Sequence, residues 1–355
     1  EWGHWLLWPA LGIAIAGVVA GRPFALVVPA SAAAIFFASP GMRAMSMAGR
    51  IQKDLDVVFP LQANRGGSEF RRRSPFIVAD LPHVPIPIVD QTFAVYREVA
   101  GRQLSLNMYR AKDRKGKLPV VIVVHGGSWR SGDNLQLEGM NRYLAAAGYA
   151  VAAINYRLAP AFHFPAPLED IHGAVSFLKD RADQFGIDPD RVVLLGRSSG
   201  GHLALLAAYG LGRQEVRGVI GLYPPTDMRW SWQRPSPKRI MDSNGAIFDF
   251  LGGTLEELGD AFDQASPIRV VGGDSPPTLL IHGGRDTLVS PLQSRRLAAE
   301  LTRAAVVHFH LELPWGNHGM DANLAGPSGQ ITLYAVERFL QFTMGNEVTR
   351  SESEQ

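Results

Sequence analysis

Val192-Val193-Leu194-Leu195-Gly196-Arg197-Ser198-Ser199-Gly200-Gly201 decides the fold. Four apolar residues run into a Gly-x-Ser-x-Gly turn, and an Ala- and Leu-rich segment follows. The pattern predicts a strand, a sharp turn and a helix over about residues 199–209. A turn this tight presses the residues two before and two after Ser198 together, and Gly196 and Gly200 are small enough to fit. Gly201 lets the helix lie close to the strand. Ser198 is thereby the candidate nucleophile, its hydroxyl exposed in front of helix N-terminal N–H groups. Ser199 is the rival, but Arg197, two residues before it, is too bulky for that position.

Upstream, the apolar run Leu118–Val124 reads as a strand buried on both faces. It leads into His125-Gly126-Gly127-Ser128-Trp129. A glycine-rich loop can aim successive backbone N–H groups at one developing negative oxygen. The candidate donors are Gly127 and Ser128, with the Ser199 N–H as third and Gly126 as substitute. His125 precedes the nucleophile and reads as shaping the loop. Downstream, the strand Thr278–His282 ends in Gly283-Gly284-Arg285-Asp286, and the strand Val306–Leu311 is followed by Leu313-Pro314-Trp315-Gly316-Asn317-His318-Gly319. The order nucleophile, acid, base makes Asp286 the acid and His318 the base. Asp274 lies before its strand, at the wrong end. His172, His202, His282, His308 and His310 fall on helices or strands and read as structural. Nothing resembles a metal site, and no cofactor is expected.

The rest of residues 91–345 keeps the rhythm. A hairpin, Thr92–Val99 with Gln103–Tyr109, straddles Ala100-Gly101. Further strands are expected at Tyr149–Asn155 and Val216–Leu222, and helices at about 134–147, 167–184, 291–303 and 328–342. Alternating strands and helices give an α/β fold, a mostly parallel sheet covered on both faces. Its site lies at the carboxyl ends of the strands. Residues 224–266 break the rhythm and read as a small cap insertion. Trp230, Trp232 and Phe248 in it, with Trp129, are the candidate substrate-pocket residues.

HGGSW, then Asn155-Tyr156-Arg157-Leu158-Ala159-Pro160, then Phe164-Pro165 with Glu169-Asp170, then GRSSGG, resembles the hormone-sensitive-lipase-like esterases of the α/β-hydrolase superfamily. Formamidase-like and isoprenylcysteine-methylesterase-like hydrolases are similar too. The resemblance implies the α/β-hydrolase fold and a serine esterase or lipase working through an acyl-enzyme. Two alternatives stay open: an amidase with the same triad, and a non-catalytic scaffold on a membrane. Ser128 stands where many relatives carry a third glycine, and Ser199 where many carry alanine; neither change removes a backbone donor. Arg157 and Asp170 read as a structural pair.

The N-terminus lies outside the resemblance. Trp2 to Gly21 holds no charged side chain, Arg22-Pro23 follows, and Phe24 to Met42 is again uncharged. Each stretch approaches the roughly 20 residues that cross a bilayer. Residues 1–42 are therefore expected as a transmembrane helical hairpin, an integral two-span anchor, with Trp2, Trp5 and Trp8 at one interface. An anchor lying in one leaflet is the alternative, since Pro9 and Pro29 interrupt both stretches; a cleaved signal peptide lacks its basic start. Arg43, Arg50 and Lys53 place the catalytic domain on the cytoplasmic side. Residues 43–90 read as a connector: an amphipathic helix on the membrane surface from Arg43 to Phe59, a loop from Asn64 to Ser74, and Pro82, Pro85 and Pro87. Residues 346–355 read as a polar tail. With no cysteine, disulfides and thiolate chemistry are excluded. A net charge of +2 without a basic block speaks against nucleic acid. The expected partners are a lipid bilayer and a lipophilic ester.

Overall fold

The computed structural model describes residues 3–60, 72–112, 114 and 116–345. Trp2, the loop from 64 to 71 and the 346–355 tail lie outside the described residues. β1 (Val89–Val99) and β2 (Arg102–Ala111) form the expected hairpin. The sheet continues with β3 (Leu118–Val124), β4 (Ala150–Ile154), β5 (Ile187–Arg197), β6 (Gly218–Leu222), β7 (Thr278–Gly283) and β8 (His308–Leu313). Its order is β1-β2-β4-β3-β5-β6-β7-β8. β1 and β2 are antiparallel to their neighbours, and β3 to β8 are parallel. This is a mixed α/β-hydrolase fold.

Register positions the site. Val124 pairs with Gly196 across β3 and β5, so the glycine loop and the serine turn leave the sheet side by side. Gly283 pairs with Leu313 across β7 and β8, which does the same for the loops of Asp286 and His318. β8 begins two residues later than expected, because Val306 still donates its N–H to Leu301 and extends the preceding helix cap.

The remaining helices in chain order are α1 (Gly3–Val19), α2 (Val28–Val58), α3 (Glu138–Ala146), α4 (Ala166–Asp180), α5 (Ala182–Phe185) and α6 (Ser199–Leu211). α7 (Met228–Gln233), α8 (Ser243–Leu251), α9 (Gly259–Gln264) and α10 (Pro267–Val270) build the cap region, and α11 (Leu292–Arg303) and α12 (Pro327–Met344) complete the fold. Side chains of β3 alternate between two cores. Val120, Ile122 and Val124 belong to the core that α4, α6 and α11 cover on one face; Val121 and Val123 belong to the core that α3, α12 and α2 cover on the other.

Two findings correct the N-terminal expectation. Two apolar helices form and pack together, but only the one counted from Ala25 to Val58 is long and apolar enough to cross a membrane among the described residues. The 17 residues of α1 reach only about 26 Å at the helical rise, short of a bilayer core of roughly 30 Å. And α2 runs unbroken past residue 42. Ile51, Leu55 and Phe59, an i, i+4, i+8 stripe, are buried in the core beside Phe309, Phe339 and Phe342. Asp56 pairs with Arg338 at 3.1 Å. This stripe faces protein, so the apolar face expected on a membrane surface is packed in the core instead.

Candidate active site

Ser198 sits at the first turn of α6 with φ 53 and ψ −122, a conformation costly for a residue with a side chain. The turn is as crowded as the glycines implied. A Cβ on Gly196 would come within 2.1 Å of the Gly200 carbonyl oxygen, and one on Gly200 within 2.3 Å of the carbonyl oxygens of Val124 and His125.

His318 bridges its two expected partners. Its Nε2 lies 2.9 Å from Ser198 Oγ, and its Nδ1 lies 2.7 Å from Asp286 Oδ2. Asp286 is buried, and its Oδ1 accepts the N–H groups of Leu288 and Val289, both at 2.9 Å. Burial pushes its carboxyl up, but the donors His282 and His318 outweigh burial and hold it at about 2.

His282 is the residue that sequence reasoning missed. Its Nε2 lies 3.3 Å from Asp286 Oδ2 and 3.0 Å from the Val289 carbonyl oxygen. Both are acceptors, so Nε2 carries a proton, and Nδ1 lies 2.7 Å from the Ser294 hydroxyl. Asp286 is thus clamped by two imidazoles. The i, i+4 spacing of the two residues across the turn was the available signal.

The glycine loop carries positive φ at three successive residues: Gly127 (127), Ser128 (55) and Trp129 (60). A Cβ on Gly127 would come within 2.0 Å of the Ser131 carbonyl oxygen. Trp129 locks the loop by donating Nε1–H to His202 at 3.1 Å and stacking on Phe250 at 4.6 Å. The Gly126 N–H is taken by Gln136 Oε1 at 2.8 Å. The N–H groups of Gly127, Ser128 and Ser199 have no protein acceptor among the described residues. His125 stacks on Tyr156 at 4.3 Å, buried, its basicity lowered by desolvation.

Beneath His318 lies a second missed group. The Tyr223 ring packs 4.6 Å from His318, and its hydroxyl donates to Asp321 at 2.5 Å. Asp321 also receives Arg197 Nε at 2.6 Å, with both side chains buried. Arg157 and Asp170 pair at 2.8 Å, and Arg97 joins Asp170 at 2.9 Å.

Ser198 and His318 open into a cleft of about 360 Å³ that also touches Leu137 and Met241. Trp129, Pro225, Leu288 and Val289 separate it from a pocket of about 190 Å³ under the cap, walled by Trp230, Pro235, Pro237 and Ile247. Of the four expected pocket residues, Trp129 and Trp230 line these cavities. Trp232 turns instead onto Phe262, ring to ring at 5.5 Å, and Phe248 is exposed outside the lining. Among the described residues, no His, Asp or Glu cluster could hold a metal ion.

A model of the BD-FAE family matches residues 106–301, which include Ser198 and Asp286 and stop before His318. Esterase LipC of Mycobacterium tuberculosis is 32% identical over 270 residues, 70% of this chain and 63% of that protein. The chain therefore spans just under two thirds of LipC. Esterase LipQ of the same organism is 28% identical over 310 residues, 79% of this chain and 69% of that one. A structure from a study of two fungal esterases from Rhizomucor miehei superposes with a TM-score of 0.64 at 21% identity, covering 74% of this chain and 86% of that chain. This last likeness is one of fold.

Proposed function

The chain belongs to the BD-FAE family, within the α/β-hydrolase superfamily, and on that premise we propose that it is a membrane-held carboxylic ester hydrolase with Ser198 as nucleophile. The observation that carries the proposal is the unbroken line from Ser198 Oγ through His318 to Asp286, 2.9 and 2.7 Å long.

His318 Nε2 takes the Ser198 proton as Oγ attacks the ester carbonyl carbon. The carbonyl oxygen becomes anionic and is received by the N–H groups of Gly127, Ser128 and Ser199. His318 passes its proton to the departing alkoxide, and the acyl group stays on Ser198. Water, deprotonated by His318, then attacks the acyl carbon, and collapse releases the carboxylic acid and restores Ser198. Asp286 holds the Nδ1 proton in place and faces the imidazolium charge. The apolar pocket beneath the cap takes one arm of the ester.

Residues 3–42 form the anchor: the apolar half of the helix counted from Ala25 enters the bilayer, and α1 packs along it. Arg43, Arg50 and Lys53 then assign the hydrolase to the cytoplasmic side.

Purified full-length protein in detergent should hydrolyse short p-nitrophenyl esters, and Ser198→Ala should lose at least about a thousandfold in kcat. Undiminished turnover in purified Ser198→Ala would remove Ser198 from the mechanism.

A further inference from the structure

α2 has two halves with different surroundings. Val28, Ile35 and Phe36 are exposed, clear of the hydrolase, whereas Ala44, Ile51, Leu55 and Phe59 are buried against it. The buried half runs alongside α12 in the same direction. Near the start of α12, Ile77 donates its N–H to Gln330 at 2.9 Å, and its neighbour Phe76 lies 3.8 Å from where a Cβ on Gly41 would stand. Further along, Asp56 pairs with Arg338, and Phe59 meets Phe339 and Phe342 with ring centroids 5.1 and 5.2 Å apart.

α12 begins just after the His318 loop, at the carboxyl edge of the sheet. Phe59 lies 6.3 Å from Phe309, near the start of β8, at the opposite edge. α2 therefore runs down the sheet from carboxyl edge to amino edge. Its free apolar half leaves the hydrolase on the side where the Ser198 cleft opens. The helix passes from one half to the other without a break. Around that opening Leu135, Leu137 and Ile240 are exposed, an apolar rim.

We infer that α2 holds the mouth of the cleft against the bilayer, and that the substrates are carboxylic esters resident in the membrane, which enter the cleft from the lipid. This rests on the ester hydrolase and anchor readings above and adds orientation and substrate class to them. A continuous helix, with Pro40 inside it at the junction of its two halves, serves this purpose where a flexible tether would not, since it fixes which edge of the sheet meets the lipid.

The chain has no cysteine, so single labels can be placed without background. Leu135→Cys and Ile240→Cys report on the rim, and Gln214→Cys, in the exposed turn ahead of β6, reports on the amino edge. Each is made in the full-length protein, tagged with an environment-sensitive fluorophore and reconstituted into phosphatidylcholine–phosphatidylglycerol vesicles carrying spin-labelled lipid. Both rim positions should be quenched several-fold more than the amino-edge position; equal quenching, or stronger quenching at Gln214→Cys, overturns the inference. As a second arm, a flexible Gly/Ser linker of about 20 residues inserted between Met42 and Arg43 frees the orientation but keeps the anchor. It should leave turnover of a soluble short ester unchanged and lower hydrolysis of a vesicle-resident ester about tenfold, because the cleft mouth is no longer held against the lipid while the anchor keeps the enzyme at the bilayer. Unchanged hydrolysis of the vesicle ester also overturns it. Failure of the underlying readings looks different: no turnover of soluble ester in any form, or release of the wild type by carbonate.

Discussion

Asp286 is pulled in two directions, up by burial and further down by the donors His282 and His318. Its value of about 2 lies below the ordinary 3.8, so the charged form is the one that stabilises the fold. That stabilisation, roughly 2 kcal/mol, is complete above about pH 4 and disappears as pH falls through about 2. Asp286→Asn lacks the titration. Denaturation curves at stepped pH should therefore show the wild type losing its advantage over Asp286→Asn across that window, and a constant difference would contradict the clamp. At neutral pH the same substitution should lower kcat by about 10³–10⁴, because the imidazole loses its orienting charge. Arg197 and Asp321 present a different case. Arg197→Met leaves the Asp321 carboxylate buried and unpaired, at a cost of about 3–5 kcal/mol, whereas Arg197→Met with Asp321→Leu removes both charges and recovers most of it. Equal loss in the single and double variants, read from urea unfolding, would mean that the pair is not electrostatically coupled.

The second half of α2 belongs to the core of the hydrolase. Leu55 and Phe59 are fully buried, so Leu55→Ala should cost about 2–5 kcal/mol, the range for opening a core cavity. A change under about 0.5 kcal/mol, the size expected of an exposed position, would show that the helix is not docked. The sequence displayed this stripe without naming its partner. Apolar residues at i, i+4 and i+8 look the same whether they face lipid or Phe309, Phe339 and Phe342. β3, β5 and β7 were legible because strands buried on both faces read as unbroken apolar runs. The loops of Ser198, Asp286 and His318 were legible because glycines cluster where a backbone must turn sharply at a strand end. Trp232 and Phe248 were harder to place, since the short helices of the cap follow no sheet register. The Arg197–Asp321 pair joins residues 124 positions apart, and no local pattern announces it.

At the scale of the whole molecule, an apolar helical pair and an α/β-hydrolase fold share one continuous helix. Deleting residues 1–42 cuts α2 above its buried stripe and leaves every loop of the site in place. The shortened protein should fractionate as soluble and keep its turnover of short soluble esters, while its hydrolysis of vesicle-resident esters falls. Loss of all activity in a folded, soluble product would tie the first helices to the chemistry itself. Anchorage and nucleophile can be read together. Membranes carrying the full-length protein are washed with carbonate and high salt and treated with a fluorophosphonate probe, and the labelled chain is digested and sequenced by mass spectrometry. The expected result is a labelled protein retained in the pellet, with a single phosphonate adduct on Ser198. Folded protein carrying no adduct, or an adduct on Ser199 with Ser198 unmodified, would contradict the proposed chemistry.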